Sequence, residues 1–301
     1  MTDPEAAAEA FGALADPTRV TILREFAAAM RERDHDSPGI VPELPFSEIY
    51  ERVDVDSTSQ LSYHLERLDG TYLRSTDDGW QFTTAGDAVV RLYLSDAYAD
   101  DAAFDPVPVD EPCPYCGAES LRVAVEGLVL YRECDDCGER TGTMPVTPAQ
   151  VHGRDAQSLL ASAEARMVTY FWRFREGVCP ECGSAADCWV RDVSAEPIPG
   201  ESIGVAECEQ CWRGLNGPLP IWLATHPATV AFHWDHGVDA LSLSVGDLLD
   251  RRERGDWQTD RVGDEYAVTY RLDDERLRLR ADEELSVLRT ERIRRGPDRE
   301  A

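Results

Sequence analysis

Lysine is absent from the sequence, so all 30 of its basic residues are arginine. These arginines stand against 58 aspartate and glutamate residues, which leaves a formal net charge of −28. Disordered acidic tails have few large apolar residues, whereas 43% of this chain is hydrophobic. The composition therefore excludes a disordered tail, and 301 residues are enough for two or three domains with cores of their own.

Long apolar runs are also absent. None approaches the roughly 20 residues that a bilayer-spanning helix needs, and the acidic start MTDPEAAAEA is unlike the basic start of a signal peptide. We expect a cytoplasmic protein with no membrane partner. A carboxylate-rich surface without lysine is typical of proteins from extreme halophiles such as halophilic archaea, because carboxylates stay hydrated in concentrated salt; an acidic mesophilic protein is the alternative.

The first third of the chain predicts a series of helices. The alanine-rich stretch from Glu5 to Ala15 favours a helix, and Asp16-Pro17 is typical of the start of a second one. Apolar residues continue the second helix at helical spacing up to the turn sequence DHDSPG. Ser47 is predicted to cap a short third helix.

The segment STSQLSYHLERL, residues 57–68, predicts a DNA recognition helix. Ser57 and Gln60 have the spacing of a capping box, while three leucines, at 61, 65 and 68, share one apolar face. The opposite face carries small polar side chains that let a helix approach base edges in the major groove. The predicted DNA contacts are Thr58, Ser59, Gln60, Ser62, Tyr63, Arg67 and, beside the next hairpin, Arg74.

A β-hairpin and a further helix follow. TYLRST and WQFTT flank Asp77-Asp78-Gly79, a strong turn sequence, and Ala85 to Tyr98 returns to helix. Together with ALADPTRVTIL earlier in the chain, this order resembles the winged helix-turn-helix domain of the arsenical-resistance-repressor (ArsR) family over about the first 100 residues. The resemblance implies a homodimer, paired through its first and last helices, that binds double-stranded DNA at a near-palindromic operator.

Two features qualify this resemblance. Residues 1–112 contain no cysteine, which excludes arsenite or cadmium sensing by the family's usual site in this domain. Residues 1–100 carry 20 acidic residues against 8 arginines, a net charge of −12. In molar salt the Debye length falls to about 3 Å, so only charges at the DNA interface act there. We therefore expect the affinity for an operator to stay flat or to rise as the KCl concentration increases. The alternative to DNA binding is a winged helix that contacts only proteins.

Eight of the nine cysteines form four C-x2-C pairs, which in a reducing cytosol indicate metal sites rather than disulfides. CPYCG and CDDCG have 17 residues between their cysteine pairs, the spacing of a zinc ribbon. CPECG and CEQCW form a second unit with a longer gap of 25 residues. The predicted metal ligands are Cys113, Cys116, Cys134, Cys137, Cys179, Cys182, Cys208 and Cys211.

Four thiolates suit Zn2+, which accepts a closed tetrahedral shell, so we predict two structural Zn2+ ions per chain. Iron in a rubredoxin-like site, and ligands shared between the two units, are the alternatives. A closed shell has no position for a substrate, and no nucleophile, base and orienting group cluster elsewhere, so we predict no enzyme activity. Four further residues are predicted to be structural rather than metal ligands: Cys188, His226, His233 and His236.

The remaining sequence predicts helix over Thr147 to Arg175, a short helix at Leu241 to Asp250, and alternating strands from Tyr266 to Ile293. The arrangement of two ribbons is similar to the accessory region of haloarchaeal ArsR-like regulators. We therefore predict an α+β fold with these parts: a winged helix-turn-helix domain (1–100), an acidic linker (101–112), a first zinc ribbon (113–145), connecting helices (146–177), a second zinc ribbon (178–220), and a C-terminal α+β region with a small β-meander (221–301).

These expectations describe a dimeric, site-specific transcription regulator. Its zinc-stapled C-terminal region would sense a ligand, dimerise, or contact another protein such as RNA polymerase. The alternative is a basal initiation factor resembling archaeal transcription factor E, which also joins a winged helix to a zinc ribbon and acts by binding RNA polymerase. The polar outer face of residues 57–68 and the ADPTR motif favour the regulator.

Overall fold

The computed structural model describes residues 3–32, 43–95, 104–113, 115–193, 201–243, 247–248, 251–252 and 254–294. The chain is a mixed α and β protein that divides into two compact units. The first comprises Met1–Asp100 with Thr147–Ala149, and the second comprises Asp101–Val146 and Gln150–Ala301. Within the described ranges, no helix has both the length and the apolar character needed to cross a bilayer.

The described part of the first unit is a run of helices interrupted by one antiparallel hairpin. Asp16 starts the second helix as predicted, because its Oδ1 accepts a hydrogen bond of 2.9 Å from the backbone N–H of Thr18. The elements are α1 (Pro4–Ala13), α2 (Pro17–Glu32), α3 (Phe46–Arg52), α4 (Thr58–Leu68), β1 (Leu73–Ser75), β2 (Trp80–Phe82) and α5 (Thr84–Leu94).

The prediction that Ser47 caps the third helix is wrong. Helix α3 already begins at Phe46, and Pro45 occupies the capping position without a side-chain hydrogen bond. Leu44 is paired with Trp80 of the hairpin through two backbone hydrogen bonds of 2.9 Å. This bridge and the fixed φ of proline set the entry of the helix, so a polar cap is not what starts it.

One apolar core holds the first unit together. The predicted leucine face of α4 is buried, since Leu61, Leu65 and Leu68 are all fully inaccessible to solvent. They belong to a cluster that includes Phe26 of α2 and Phe82 of the hairpin, whose ring centroids are 5.4 Å apart. The hairpin and α4 therefore share one core with α2, which fixes the direction of the outer face of α4.

A close approach of backbone to helix α5 yields a stability prediction. A Cβ at Gly86 would lie 1.9 Å from the carbonyl oxygen of Tyr72. We expect Gly86→Ala to lower the free energy of unfolding by about 1–3 kcal/mol in denaturant titrations, because backbone must move to relieve the overlap.

Gly12→Ala is the matched control for that substitution. Gly12 lies in α1, and a Cβ there would meet nothing within 4 Å. Alanine at such a helical position stabilises by about 0.4–1 kcal/mol. Equal effects of the two substitutions would contradict the packing of α5 against Tyr72.

The second unit begins with an antiparallel sheet of four strands in the order β3-β4-β5-β6. Its first strand falls inside residues 101–112, where the sequence predicted a linker; residues 101–103 lie outside the described ones. The proline-containing sequence FDPVP can form this strand because an edge strand needs ladder hydrogen bonds on one side only. The strands are β3 (Phe104–Pro108), β4 (Leu121–Glu126), β5 (Val129–Cys134) and β6 (Arg140–Pro145).

Two helices follow where the sequence predicted one continuous helical stretch. They are α6 (Pro148–Val151) and α7 (Ala156–Arg175). Gly153 between them has a φ of +75°, which breaks the helix. Asp155 then restarts it, because its side chain accepts a hydrogen bond of 2.7 Å from the backbone N–H of Ser158.

A buried arginine joins this first sheet to α7. Arg132 on β5 is 0% exposed, and its Nη2 donates a hydrogen bond of 2.8 Å to Oε1 of Glu164. Its Nε lies 3.3 Å from Oε2 of Glu111. The alternation along β5 places Arg132 on the same side as Leu130 and Cys134, so a charge is held inside the core by two carboxylates.

The next sheet has three antiparallel strands in the order β7-β8-β9 and is followed by two short helices. Helix α8 packs Trp222 against it so closely that a Cβ at Gly204 would lie 2.5 Å from Cδ1 of the indole. Phe171 of α7 contacts the same indole edge-on, with centroids 4.9 Å apart. The elements are β7 (Ala186–Val193), β8 (Glu201–Cys208), β9 (Gly214–Pro218), α8 (Leu219–Ala224) and α9 (Pro227–Asp235).

The last sheet is an antiparallel meander in the order β10-β11-β12-β13. One face packs on α8, where the hydroxyl of Tyr270 donates a hydrogen bond of 2.7 Å to the carbonyl of Pro220. Helix α8 therefore covers one face of the strands predicted from Tyr266 onward, and β10 precedes those strands. The strands are β10 (Trp257–Val262), β11 (Glu265–Leu272), β12 (Glu275–Ala281) and β13 (Val287–Arg294).

Three predicted features lie wholly or partly outside the described residues. They are the stop sequence DHDSPG after α2, the last turn of the helix predicted to reach Tyr98, and half of the helix predicted at Leu241 to Asp250.

Candidate metal centres and nucleic-acid interface

The first four cysteines form one compact group. Sγ of Cys113 lies 3.7 Å from Sγ of Cys137, and Sγ of Cys116 lies 3.7 Å from Sγ of Cys134. All four sulfur atoms lie within 4.8 Å of one another. A tetrahedral shell with metal–sulfur bonds of about 2.3 Å places its sulfurs about 3.8 Å apart. The group can therefore hold one metal ion.

The second four cysteines repeat this geometry. Sγ of Cys179 lies 3.6 Å from Sγ of Cys211, and Sγ of Cys182 lies 3.5 Å from Sγ of Cys208. All four again lie within 4.8 Å of one another. The four sulfurs of each group all come from one ribbon, so the two ribbons do not share ligands. The longer gap in the second ribbon accommodates longer strands, eight residues each in β7 and β8 against six each in β4 and β5, and a longer connection between them.

Each cysteine pair sits in a tight turn closed by a backbone hydrogen bond. In the first three turns the closing N–H belongs to a glycine with a φ near +75°, at Gly117, Gly138 and Gly183. In the fourth turn Trp212 takes this place with a φ of +48°, and its side chain is 83% exposed. A non-glycine residue in this conformation costs about 1–2 kcal/mol, so the fourth turn is held by its surroundings rather than by local preference.

In each sulfur group one buried cysteine has a lowered pKa. Backbone N–H groups are outweighed by burial and the neighbouring thiols, which raise the pKa of the two exposed or half-buried cysteines, Cys116 and Cys137 in the first group and Cys182 and Cys211 in the second. The Ser120 hydroxyl, 3.3 Å from Sγ of Cys134, and backbone N–H groups lower the pKa of Cys134 to about 6. Burial alone would raise the pKa of Cys179, but N–H groups from Cys182 and Glu181 bring it to about 7. One buried thiol in each group is therefore the more readily ionised, and a metal ion would have to displace protons from the others.

The ninth cysteine and the histidine cluster lie in neither group. The thiol of Cys188 donates to the carbonyl of Phe174 at 3.2 Å, and burial raises its pKa to about 11, which makes it unreactive. His226 caps α9, while Nδ1 of His233 and of His236 each lie 2.8 Å from a carbonyl oxygen one turn earlier. The geometry agrees with a structural role for all four side chains.

Among the DNA contacts predicted on helix α4, some side chains are exposed and others already form hydrogen bonds within the protein. Ser57 accepts a hydrogen bond of 3.2 Å from the N–H of Gln60, and Oε1 of Gln60 accepts one of 2.9 Å from the N–H of Asp56. Gln60 is thus engaged in capping the helix, which the capping-box spacing had already indicated. Thr58 and Ser59 are exposed, and Ser62 is half-buried on the same side.

An aromatic and basic pair projects from the outer face of α4. Tyr63 is 51% exposed, and the guanidinium of Arg67 lies 5.5 Å from the centre of its ring. On the hairpin, Nε and Nη2 of Arg74 donate to Oε1 of Gln81 at 3.1 and 2.6 Å. Arg74 is therefore held in place on β1 rather than folded back on the helix.

Sequence reasoning missed one buried residue of α4. His64 is 5% exposed, and its Nδ1 lies 3.9 Å from Oδ1 of Asp16, the cap of α2. Burial alone would raise the pKa of Asp16, but N–H groups from Thr18 and Arg19 and the nearby His64 lower it. The signal was its position beside Leu65, at the border of the apolar face.

Two stretches of the chain match known protein families. Residues 7–93 match the model of a family described as Domain of unknown function (DUF7347), and residues 110–287 match that of Domain of unknown function (DUF7351). No curated protein and no solved structure matches the chain. Because the second match covers more than half of the 301 residues, the chain belongs to the DUF7351 family.

Proposed function

We propose that this protein is a site-specific, DNA-binding transcription regulator of the ArsR-like winged helix-turn-helix type. The observation that carries the proposal is helix α4, which is anchored by a fully buried leucine face and presents small polar residues with Tyr63 and Arg67 on the opposite side. A helix that enters the major groove needs this division, because its buried face fixes the orientation of its reading face.

Exposed apolar residues on the first and last helices of the first unit support pairing as a homodimer. Phe11 on α1 is 70% exposed, and Leu92 and Leu94 on α5 are also exposed. Large apolar side chains left exposed on these two helices are typical of surfaces that a second copy covers. A dimer would present two α4 helices to the two halves of an operator.

In this proposal each four-cysteine group is a structural Zn2+ site. Four sulfurs complete a closed tetrahedral shell and leave no open position for a substrate, so the ions stabilise the ribbons without taking part in a reaction. The zinc-stapled second unit then serves regulation, by binding a ligand, a second copy or another protein.

Substitutions on the two faces of α4 test the proposal. We expect Tyr63→Ala and Arg67→Ala to weaken operator binding at least tenfold with little change in thermal stability, because their side chains do not enter the core. Leu65→Ala should instead lower the free energy of unfolding by about 2–5 kcal/mol, because it opens a cavity in that core. An operator is first selected from random duplexes in molar KCl, and affinity is then measured by fluorescence anisotropy.

Glu66→Ala serves as a control on α4 for general effects of substitution and should not weaken binding, because it removes an exposed negative charge. Unchanged affinity for the operator in both Tyr63→Ala and Arg67→Ala would contradict the recognition role of α4. Mapping of bound sites in the native host separates the regulator from a basal factor. A few discrete sites support the regulator, whereas occupancy at most promoters would assign the protein to basal initiation with RNA polymerase as partner.

A further inference from the structure

The outer face of the β10–β13 sheet carries five arginines against three carboxylates, Asp260, Glu265 and Glu291, although the chain as a whole carries a net charge of −28. Residues paired directly across neighbouring strands lie on the same face, and the face opposite the core can therefore be read from the strand register. We call the five arginines on this outer side the basic face: Arg271, Arg276, Arg278, Arg280 and Arg289.

Arginines oppose arginines across this face. Arg271 of β11 pairs directly with Arg276 of β12, and Arg280 of β12 pairs directly with Arg289 of β13. Like charges placed directly opposite destabilise a sheet. Carboxylates outnumber arginines almost two to one in this chain, so composition alone would rarely produce two such pairs on one surface. An arrangement that works against stability indicates a function for the surface.

Some of these arginines are neutralised within the protein. Arg280 forms an ion pair of 2.7 Å with Glu265, and Arg289 forms one of 2.5 Å with Glu291. Nη1 of Arg271 donates a hydrogen bond of 2.7 Å to the carbonyl of Gly255. These interactions hold the side chains at the two ends of the face in place.

The centre of the face differs. Within the part of the chain that the structure describes, Arg276 and Arg278 form no ion pair and no side-chain hydrogen bond; Glu291 lies opposite Arg278 on β13, but its carboxylate is paired with Arg289. Nε of Arg278 is buried and has no hydrogen-bond partner. A buried donor without a partner costs free energy that a bound acceptor would restore. The two central guanidinium groups are therefore available to an anion.

We propose that the basic face binds the phosphate backbone of double-stranded DNA, as a second contact in addition to α4. The planar guanidinium fork matches phosphate oxygens in a bidentate way. Alternate residues along β12 place Arg276, Arg278 and Arg280 about 7 Å apart in one row, which suits a regular polyanion better than a single small anion. The inference rests on the proposed function only in that DNA is the ligand.

The test compares the wild-type full chain with two double variants, Arg276→Ala/Arg278→Ala and Arg276→Gln/Arg278→Gln. The glutamine variant removes both charges but keeps more of the side-chain packing than the alanine variant does. Binding of operator and random-sequence duplexes is measured over a KCl series. We expect either variant to bind both duplexes about tenfold more weakly, because interactions with phosphates carry no sequence preference. The slope of log affinity against log salt should rise by about 2, one unit for each arginine removed from a phosphate.

Arg122→Ala/Arg140→Ala is the matched control. These two arginines also lie on strands of the second unit, but each is already paired, Arg122 with Asp135 and Arg140 with Glu133. The control removes the same charge and should leave affinity and salt slope as in the wild type. A decrease equal to that of the basic-face variants would show a general charge effect and overturn the proposal.

Further outcomes separate this inference from the proposed function. Wild-type affinity in both basic-face variants, with operator binding abolished in Tyr63→Ala, overturns the inference and leaves the regulator standing. Duplex binding that depends on Arg276 and Arg278 but not on α4 supports the inference and removes the recognition role of α4. Displacement of DNA by polyglutamate of equal charge, as efficient as by unlabelled duplex, would overturn DNA as the ligand in favour of an acidic protein.

Discussion

Replacing Cys134 with serine is expected to reduce the metal content of the purified chain from two ions to one and to unfold the first ribbon. Cys134 is buried at the end of β5, and its Sγ lies 3.7 Å from that of Cys116. A serine hydroxyl is a poor ligand for a metal that prefers thiolates. Structural Zn2+ contributes about 10–16 kcal/mol to the folding of small zinc domains, so no other single interaction in this ribbon offsets its removal.

Metal analysis and limited proteolysis measure this result. Cleavage should concentrate between Cys113 and Cys137, while α1 to α5 stay resistant because their core is separate. Cys188→Ser is the matched control, since Cys188 lies outside both sulfur groups and its variant should keep both ions. A wild-type chain with fewer than two ions, or with iron in place of zinc, would contradict the assignment of two structural Zn2+ ions.

Removing the buried charge of Arg132 should have the next largest effect. We expect Arg132→Leu to lower the free energy of unfolding of the second unit by about 3–5 kcal/mol, because the half-buried carboxylates of Glu164 and Glu111 lose the charge of the fully buried Arg132. Denaturant titration followed by intrinsic tryptophan fluorescence gives the value, since Trp222 reports on this core.

A double variant tests the mechanism. Arg132→Leu/Glu164→Leu should recover most of the lost stability, because a well-packed apolar pair replaces a buried ion pair at little cost. Arg140→Leu, at an exposed position paired with Glu133, should cost less than about 1 kcal/mol. If the double variant were less stable than Arg132→Leu alone, loss of the Arg132 charge beside the Glu164 carboxylate would not be the source of the effect.

The sequence predicted those parts of the fold that depend on local signals. The caps at Asp16 and Ser57 mark the starts of α2 and α4, and the turn at Asp77-Asp78-Gly79 marks the hairpin. The C-x2-C pairs predicted the two sulfur groups because each pair is a short turn, and the hairpin between pairs brings the turns together.

Features that depend on tertiary packing were not predictable in this way. Helices α8 and α9 are short and each begins near a proline, in a segment whose apolar residues have no clear period. Helix α8 is held by Trp222, which fills the space above Gly204, a fit that only the folded sheet creates. The burial of Arg132 likewise follows from carboxylates that are distant in sequence, at positions 111 and 164.

The separate cores of the chain bear on its ancestry. The buried side chains of one core all come from residues 22–90, and those of the other from residues 123–285. These stretches fall within the two family matches, 7–93 and 110–287. A segment that carries a complete core can be inherited, duplicated or joined to a new neighbour without losing its own stability. Each matched segment therefore carries the core that separate inheritance requires, and the segment with the two four-cysteine groups depends on no buried side chain of the segment that carries α4.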